Sequence, residues 1–436
     1  MKAIRGAFLD FVDDPFLVPE RDSVRYVQDG LLVINRQGRV HSFGAYADLG
    51  EQYGGVPTQW HRDRLMMPGF IDTHVHFPQL TMMAAYGEQL LEWLSRYTFP
   101  TELKFKDKDY AREIADVFLD ELLNHGTTTA LVFATVFPQS VEAFFEAAQA
   151  RSLRMIAGKV MMDRHAPAEL CDTADSSYTE TKALIEKWHG QDRLLYAVTP
   201  RFAVTSTAAQ LQVAGKLLAE YPDVRLHTHL SENLNEVSLV KKLFPKSSGY
   251  LDVYDQAGLV TDRSVFAHGV QLTDEEFARL SAARAAIAFC PTSNLFLGSG
   301  LFRIEQAKSS QHPVKVGLGT DVGAGTSLSI LQTMNEAYKV AQLRQQTLSA
   351  FKALFLATLG GARALGLDAA IGSFDPGKEA DFVVLNPQAT TVLRLRNSQP
   401  TAKTLAAVAE IAFSLMMLGC DRAISATYIL GENQKR

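Results

Sequence analysis

The stretch Pro68-Gly69-Phe70-Ile71-Asp72-Thr73-His74-Val75-His76 is an apolar run that ends in two histidines one residue apart. Side chains at positions i and i+2 of a strand point to the same face, with backbones ~6–7 Å apart. The ring nitrogens of His74 and His76 can therefore converge on one metal ion, at ~2 Å from each. Solvated strands also carry such pairs, but this pair closes an apolar strand and is followed at once by loop residues. The stretch predicts a buried strand that ends in part of a metal site.

The middle of the chain alternates short apolar runs with segments of helical periodicity. Helical segments such as 109–123, 208–220 and 274–282 fall between the apolar runs. We count eight candidate strands, at residues 70–76, 127–133, 153–160, 194–199, 224–229, 264–268, 285–289 and 315–319. Eight strands that alternate with helices predict an α/β fold, a TIM-type (β/α)8 barrel.

Both ends of the chain are rich in short strands and turns. Segments 30–35 and 39–43 flank the turn Arg36-Gln37-Gly38, which is typical of a hairpin. A turn at 372–378 leads into an apolar strand at 381–385. We expect the two ends to pair into one small β-sandwich domain, residues 1–66 plus 370–436, while residues 67–369 form the catalytic barrel.

The composition is that of an ordinary globular protein, with 436 residues, 47% apolar and 21% charged. A formal net charge of -5 argues against nucleic-acid binding as the main activity. The three cysteines lie far apart, which fits a reducing compartment and no disulfide framework. Acidic residues interrupt the N-terminus before a signal peptide could form, and the apolar run 411–418 is too short for a bilayer. We therefore expect a cytoplasmic protein that binds neither membrane nor nucleic acid.

Chemically reactive side chains occur where the predicted strands end. They are His74, His76, Arg201, His227, His229, Glu232, His268 and Asp321. The C-terminal ends of barrel strands are where such barrels carry catalysis. A ligand set of three histidines and one aspartate suits Zn²⁺, with Fe²⁺ as a credible substitute.

These motifs resemble those of the metal-dependent amidohydrolase superfamily, and within it those of the guanine deaminases. The first stretch, Thr228-His229-Leu230-Ser231-Glu232 and Gly319-Thr320-Asp321 are similar to motifs shared by many deaminases and chlorohydrolases of the superfamily. The elements that resemble guanine deaminases in particular are Pro78-Gln79, Trp93-Leu94 and Pro200-Arg201-Phe202.

The resemblance implies an enzyme that hydrolyses guanine at C2 to xanthine and ammonia with a metal-activated water. It implies Glu232 as the proton shuttle, His268 near the metal-bound water, and Asp321 as both ligand and base. One Zn²⁺ per subunit is expected, with Fe²⁺ possible. The implied ligands are His74, His76, His229 and Asp321.

The resemblance also implies a purine site and a homodimer. Arg201 is expected on the purine carbonyl O6, Gln79 on a purine edge as donor and acceptor, and Phe202 and Trp93 against the ring. The implied substrate-binding residues are Gln79, Trp93, Leu94, Arg201, Phe202, His229, Glu232, His268 and Asp321. Trp93 could instead be plain core.

Several alternatives stay open at this point. His227 shares a strand face with His229, and only the family register favours His229 as the ligand. Lys159 could in principle bridge a second metal. The function could be that of another superfamily member, a deaminase of adenosine-type substrates or a triazine chlorohydrolase, or that of a non-catalytic scaffold relative.

Overall fold

Eight parallel strands form a nearly closed barrel, which confirms the predicted fold class. The strands are Phe70–His76, Thr127–Phe133, Arg154–Gly158, Leu195–Pro200, Arg225–Leu230, Ser264–His268, Ala286–Phe289 and Lys315–Leu318. The third predicted strand is interrupted at Lys159, and the two-residue strand Val160–Met161 then pairs with the fourth strand. Every residue of the first two strands is buried, as expected for a parallel sheet with both faces covered.

Helices follow most of the barrel strands, and side-chain caps fix where several of them begin. Thr173, Thr207, Asn233 and Thr273 each accept a hydrogen bond from a backbone N–H in the first turn. The helices of eight residues or more are Lys108–Asn124, Pro138–Ala150, Ala174–Trp188, Ala208–Glu220, Leu234–Leu243, Asp274–Ala282, Ile330–Leu343, Ala350–Ala357 and Leu405–Leu418.

Shorter helical segments connect these elements. The α-helical ones are Glu20–Ser23, Tyr46–Leu49, Leu90–Trp93, Phe99–Glu102, Tyr250–Asp255, Pro291–Phe296, Ile304–Ala307, Leu359–Ala364 and Thr391–Arg396. A π-helical turn at Leu94–Thr98 joins Leu90–Trp93 to Phe99–Glu102. The 3₁₀ turns are Phe77–Met82, Leu103–Lys106, Ala168–Leu170 and Asp421–Ala423.

The chain ends form a separate seven-stranded sheet, as predicted. Its strands, in spatial order, are Glu432–Asn433, Ile424–Ile429, Phe382–Leu385, Thr58–Pro68, Lys2–Phe11, Val24–Ile34 and Val40–Ala45. The last two of these pair in antiparallel fashion, so the predicted hairpin is confirmed. Phe382 stacks on Tyr428 at a centroid distance of 4.3 Å within the apolar core of this sheet.

The structure, a computed structural model, describes residues 1–435. It divides into one unit of Met1–Ile71, Asp120–Thr128 and the chain from Ser329 onward, and a second unit of Asp72–Leu119 and Thr129–Leu328. The domain boundaries after residues 66 and 369 stay a prediction. Within residues 1–435, none of the helices combines the length and the apolar character that crossing a bilayer requires.

Gly158 ends the third barrel strand where only a glycine fits. A Cβ at this position would lie 1.8 Å from the carbonyl oxygen of Ala197 on the next strand. We expect Gly158→Ala to lower the free energy of unfolding by about 1–3 kcal/mol, because the neighbouring backbone must move. Gly55→Ala is the matched control, since nothing lies within 4 Å of its Cβ position. Urea denaturation measures both variants, and equal midpoints would contradict this reading of the barrel.

Candidate active site

The first barrel strand places His74 and His76 on one face at its C-terminal end. Both imidazoles are buried, and their Nε2 atoms lie 3.3 Å apart. His229, at the end of the fifth strand, brings its own Nε2 to 3.3 Å from His76 Nε2. Three strand-end histidines therefore point their Nε2 atoms at one position.

Asp321 completes this cluster from the loop after the eighth strand. Its Oδ1 lies 3.1 Å from His74 Nε2 and 3.3 Å from His76 Nε2. The ligand atoms of His74, His76, His229 and Asp321 all lie within 4.8 Å of one another. The sequence-predicted ligand set is thus brought together in space.

The surroundings keep the histidine rings neutral and the aspartate ionised. Burial lowers the pKa of His74 and His229 below the ordinary value, and it lowers the pKa of His76 to about 3. Burial alone would raise the pKa of Asp321, but the adjacent His74, His76 and His268 hold it well below its ordinary value. Neutral imidazole and ionised carboxylate are the forms that bind a metal ion.

The donor set fits a tetrahedral metal ion. Bonds of ~2.0–2.1 Å at tetrahedral angles separate neighbouring donor atoms by ~3.3 Å. Four of the six separations between these donor atoms are 3.1 to 3.3 Å, and all six are within 4.8 Å. The Nδ1–H of His229 donates to the carbonyl oxygen of Arg201 at 2.7 Å, which leaves its Nε2 lone pair free to bind. The residues present therefore suit Zn²⁺ or Fe²⁺.

His227 and Lys159 take positions outside this donor set. His227 Nε2 lies 2.7 Å from Nδ1 of His74, the ring nitrogen that faces away from the cluster. Such a contact orients a ligand ring rather than supplying a ligand. The Lys159 ammonium pairs with Asp172 and, at 3.1 Å, with Glu180, so a salt bridge satisfies its charge.

Glu232 and His268 stand beside the cluster. Glu232 Oε2 lies 3.5 Å from His268 Nε2, which in turn lies 3.8 Å from Asp321 Oδ2. His268 Nδ1–H donates to Asn294 Oδ1 at 2.9 Å, so His268 Nε2 carries a free lone pair. This buried Nε2 has no hydrogen-bond partner among residues 1–435. It is therefore available to accept a proton or a hydrogen bond from a molecule in the cavity.

Hydrogen bonds fix the position of the Glu232 carboxyl, and its surroundings raise its pKa. The Ser299 hydroxyl donates to Glu232 Oε1 at 2.9 Å, which leaves Oε2 towards His268. Glu236, in the capping box of the following helix, accepts from the backbone N–H of Glu232 at 2.8 Å and fixes the turn. Burial and then the charge of Asp321 raise the pKa of Glu232 to about 8. A carboxyl with such a pKa can both accept and return a proton near neutral pH.

A cavity opens onto the cluster. It is lined by all nine residues that the resemblance implies for substrate binding: Gln79, Trp93, Leu94, Arg201, Phe202, His229, Glu232, His268 and Asp321. His76 also lines it. Leu90, Leu297 and Ala324, which were not predicted as site residues, form apolar parts of its wall. The Trp93 indole N–H is buried with no hydrogen-bond partner in residues 1–435.

Three site residues adopt backbone conformations that non-glycine residues rarely take. Ser231, His268 and Asp321 have φ values of 50°, 75° and 50°. Left-handed backbone costs a non-glycine residue of order 1–3 kcal/mol, and such strain clusters at functional sites. Each of the three lies just after or at the end of a barrel strand, and two of them, His268 and Asp321, line the cavity.

Several supporting residues were missed by sequence reasoning. Ser293 donates to Asp321 Oδ2 at 2.5 Å, and Asn294 and Ser299 hold His268 and Glu232 as described. Glu102 accepts from Arg201 and Gln79 within the protein interior. None of them ends a barrel strand, and a single serine, asparagine or glutamate carries no spacing pattern that would have marked it.

Comparisons with known proteins agree with this geometry. The chain matches the Amidohydrolase family over residues 65–433. It is 53% identical to guanine deaminase of Escherichia coli (strain K12) over 435 residues, which cover 99% of this chain and 97% of that protein.

Solved structures give the same result. The structure of E. coli guanine deaminase superposes with a TM-score of 0.95 and covers 100% of this chain and 99% of that chain. Guanine deaminase from C. acetobutylicum, solved with bound guanine in the active site, is 28% identical, with a TM-score of 0.89 and 99% coverage of both chains. The family match spans most of the chain, and the histidine–aspartate cluster lies at the C-terminal ends of the barrel strands. The chain therefore belongs to the amidohydrolase family.

Proposed function

We propose that this protein is a guanine deaminase, a hydrolase that converts guanine and water to xanthine and ammonia. The observation that carries the proposal is the cavity, which Arg201 and Gln79 line together with Glu232 and residues of the histidine–aspartate cluster. The 53% identity to the E. coli guanine deaminase over nearly the whole chain supports the same substrate.

His74, His76, His229 and Asp321 would hold one divalent metal ion, with Zn²⁺ as the preferred ion and Fe²⁺ as the alternative. Such an ion would supply a nucleophile by lowering the pKa of a coordinated water to ~7. The ion in the native protein can be identified by elemental analysis of material purified without chelators.

Glu232 would move the protons of the reaction. It would take a proton from the attacking water and deliver it to N3 of guanine as the C2–O bond forms. It would then take the proton of the new C2 hydroxyl and pass it to the leaving 2-amino group as the C2–N bond breaks, so the C2 carbonyl forms and ammonia departs neutral. His268 and Asp321, 3.8 Å apart, face the same water position and would hold it by hydrogen bonds. One shuttling carboxyl thus serves both as base and as leaving-group acid.

Arg201 and Gln79 would bind the carbonyl edge of the purine, and Phe202, Trp93 and Leu94 would pack against the ring. Arg201 is buried, so its N–H groups have little competition from water. A site built around a carbonyl acceptor rejects adenine, because the buried guanidinium would then lose a hydrogen-bond partner. Stacking on an aromatic face contributes about 1–3 kcal/mol per base.

Two finer features complete the proposal. The family resemblance favours a homodimer, and the cysteine content favours the cytoplasm. Gel filtration with light scattering tests the first, and fractionation of the native cells tests the second.

Substrate profiling tests the function itself. We expect rapid ammonia release from guanine and little from adenine, cytosine or an adenosine-type substrate. Treatment with a chelator should abolish the release, and added Zn²⁺ should restore it. Faster turnover of an adenosine-type substrate or a chlorotriazine than of guanine would replace this proposal by another function of the family.

Glu232→Gln separates proton transfer from metal binding. We expect the variant to keep its metal, because Glu232 is outside the donor set, and to lose turnover by ~10²–10⁴-fold, the usual contribution of general acid–base catalysis. Metal content per chain and kcat are measured on the same preparation. Loss of the metal would contradict the role given to Glu232.

Arg201→Lys tests the carbonyl contact. Lysine keeps the charge but lacks the planar fork of N–H donors. We expect KM for guanine to rise by ~10-fold or more while the urea midpoint changes little. Unchanged guanine kinetics would show that Arg201 does not bind O6.

A further inference from the structure

Glu102 is a buried carboxylate with no place in the reaction described above. It ends the short helix Phe99–Glu102 and has 0% of its surface exposed. A carboxylate in this position is costly unless charged or polar partners compensate it. Its side-chain partners are Arg201 and Gln79, two residues that line the cavity, although Glu102 does not line it.

The contact with Gln79 fixes the orientation of the Gln79 amide. Gln79 Nε2 donates to Glu102 Oε1 at 3.1 Å, while Gln79 Oε1 accepts from the backbone N–H of Gly323 at 3.2 Å. A flipped amide would set its oxygen against a carboxylate and its NH₂ against an N–H donor. Only one orientation is therefore satisfied, and it leaves one N–H and one lone pair of Gln79 for a ligand.

The contact with Arg201 fixes the guanidinium in the same way. Arg201 Nη1 donates to both carboxylate oxygens, at 3.0 and 2.9 Å, so the N–H groups on Nη2 and Nε remain for other acceptors. The ring of Phe99, on the same short helix, lies 5.8 Å from the guanidinium carbon. One helix thus supplies both the counter-charge and an aromatic contact for Arg201.

The pair also sets the charge of the cavity wall. An isolated buried guanidinium would favour an anionic ligand, whereas Arg201 and Glu102 together carry no net charge. Such a wall offers strongly polarised N–H donors to a neutral carbonyl acceptor. Guanine is a neutral ligand of this kind.

We propose that Glu102 is a positioning residue for substrate specificity, which holds Arg201 and Gln79 in the one arrangement that binds the carbonyl edge of the purine. This inference rests on the proposed guanine deaminase function. Glu102 acts through two other side chains and does not itself touch the substrate.

The test compares guanine with 2-aminopurine, which keeps the 2-amino group and lacks the C6 carbonyl. In Glu102→Gln we expect KM for guanine to rise ~10–100-fold, the range for a lost hydrogen bond to a charged group. The inhibition constant of 2-aminopurine against guanine should change by less than ~3-fold, because it makes no carbonyl contact. Equal losses for both purines, or none for guanine, would overturn the inference.

Glu276→Gln is the matched control. Glu276 is a buried glutamate whose side chain accepts from the backbone N–H groups of Leu251 and Thr273, at 3.1 and 3.0 Å, and neither of these residues lines the cavity. Its replacement should leave the ratio of the two purines unchanged even if stability falls. A shift of that ratio as large as in Glu102→Gln would mean that the ratio reports general destabilisation, and would overturn the inference.

A double-mutant cycle shows whether Glu102 acts through Arg201. Added to Arg201→Gln, the Glu102→Gln change should raise KM for guanine by less than it does in the parent. A rise as large as in the parent would overturn the inference. If Glu102→Gln does not fold, Glu102→Asp keeps the charge on a shorter side chain and should shift the purine ratio in the same direction by a smaller factor; an unchanged ratio there would equally overturn it.

The parent enzyme separates the two proposals. Failure of the parent to deaminate guanine defeats the proposed function. Guanine turnover by the parent with an unaltered purine ratio in Glu102→Gln defeats only the role of Glu102. Metal content per chain is measured in every variant, so that a loss of metal is not mistaken for a loss of specificity.

Discussion

The junction between the first and eighth barrel strands is the constraint on which the catalytic cluster depends. Asp321 N–H donates to the carbonyl of His74 at 2.9 Å, so the aspartate and the first histidine are tied through the backbone before their side chains meet. The Thr320 N–H donates at 3.1 Å to the buried carboxyl of Asp72, which also accepts from the Thr320 hydroxyl. These backbone contacts fix both strand ends. The carboxylate of Asp321 and the imidazoles of His74 and His76 therefore start from fixed backbone positions when they converge.

This junction brings buried polar groups together, and their electrostatics follow from the burial. Burial lowers the pKa of His74, His76 and His229, so their neutral forms are favoured. Asp321 stays ionised because the histidines face it. The pKa of Glu232 moves in the opposite direction. Burial and the negative charge of Asp321 raise it, and only the hydrogen bond from Ser299 opposes this rise. The carboxyl groups of Asp321 and Glu232 thus differ in proton affinity within one cavity. This difference agrees with the proposed roles of Asp321 as a metal ligand and Glu232 as the proton shuttle.

The sequence predicted most of the fold because the signals were local. Apolar runs bounded by turns marked all eight barrel strands within a few residues, and caps such as Thr207 and Thr273 begin helices where the periodicity indicated. The break at Lys159 was missed because the apolar run continues across it. The histidines at the strand ends could be predicted as site residues, because side chains alternate between the two faces of a strand and residues two apart share a face. The choice of His229 over His227 needed the family register, because both lie on the same face of one strand.

The supporting residues could not be predicted, and Glu102 shows the physical reason. It lies 99 residues from Arg201, on a four-residue helix entered through a π-helical turn, and nothing in its neighbourhood marks a buried charge. Only the fold reveals that its partners are Arg201 and Gln79, two polar residues that line the cavity.

The energetics of the buried Arg201–Glu102 ion pair favour a role in ligand binding over a role in fold stability. Replacing a buried ion pair with apolar residues of similar volume is often neutral or stabilising, so the Arg201–Glu102 pair is poor evidence for fold stability. Apolar side chains already form much of this cavity wall, at Leu90, Leu94 and Leu297. Further apolar residues at the positions of Arg201 and Glu102 would therefore be compatible with the fold. A charged pair at this point is explained instead by the ligand, which needs fixed donors on a wall without net charge. In our proposal the histidine–aspartate cluster supplies the hydrolytic chemistry, and the neutral ion pair in the wall of the same cavity restricts that chemistry to a purine bearing a carbonyl.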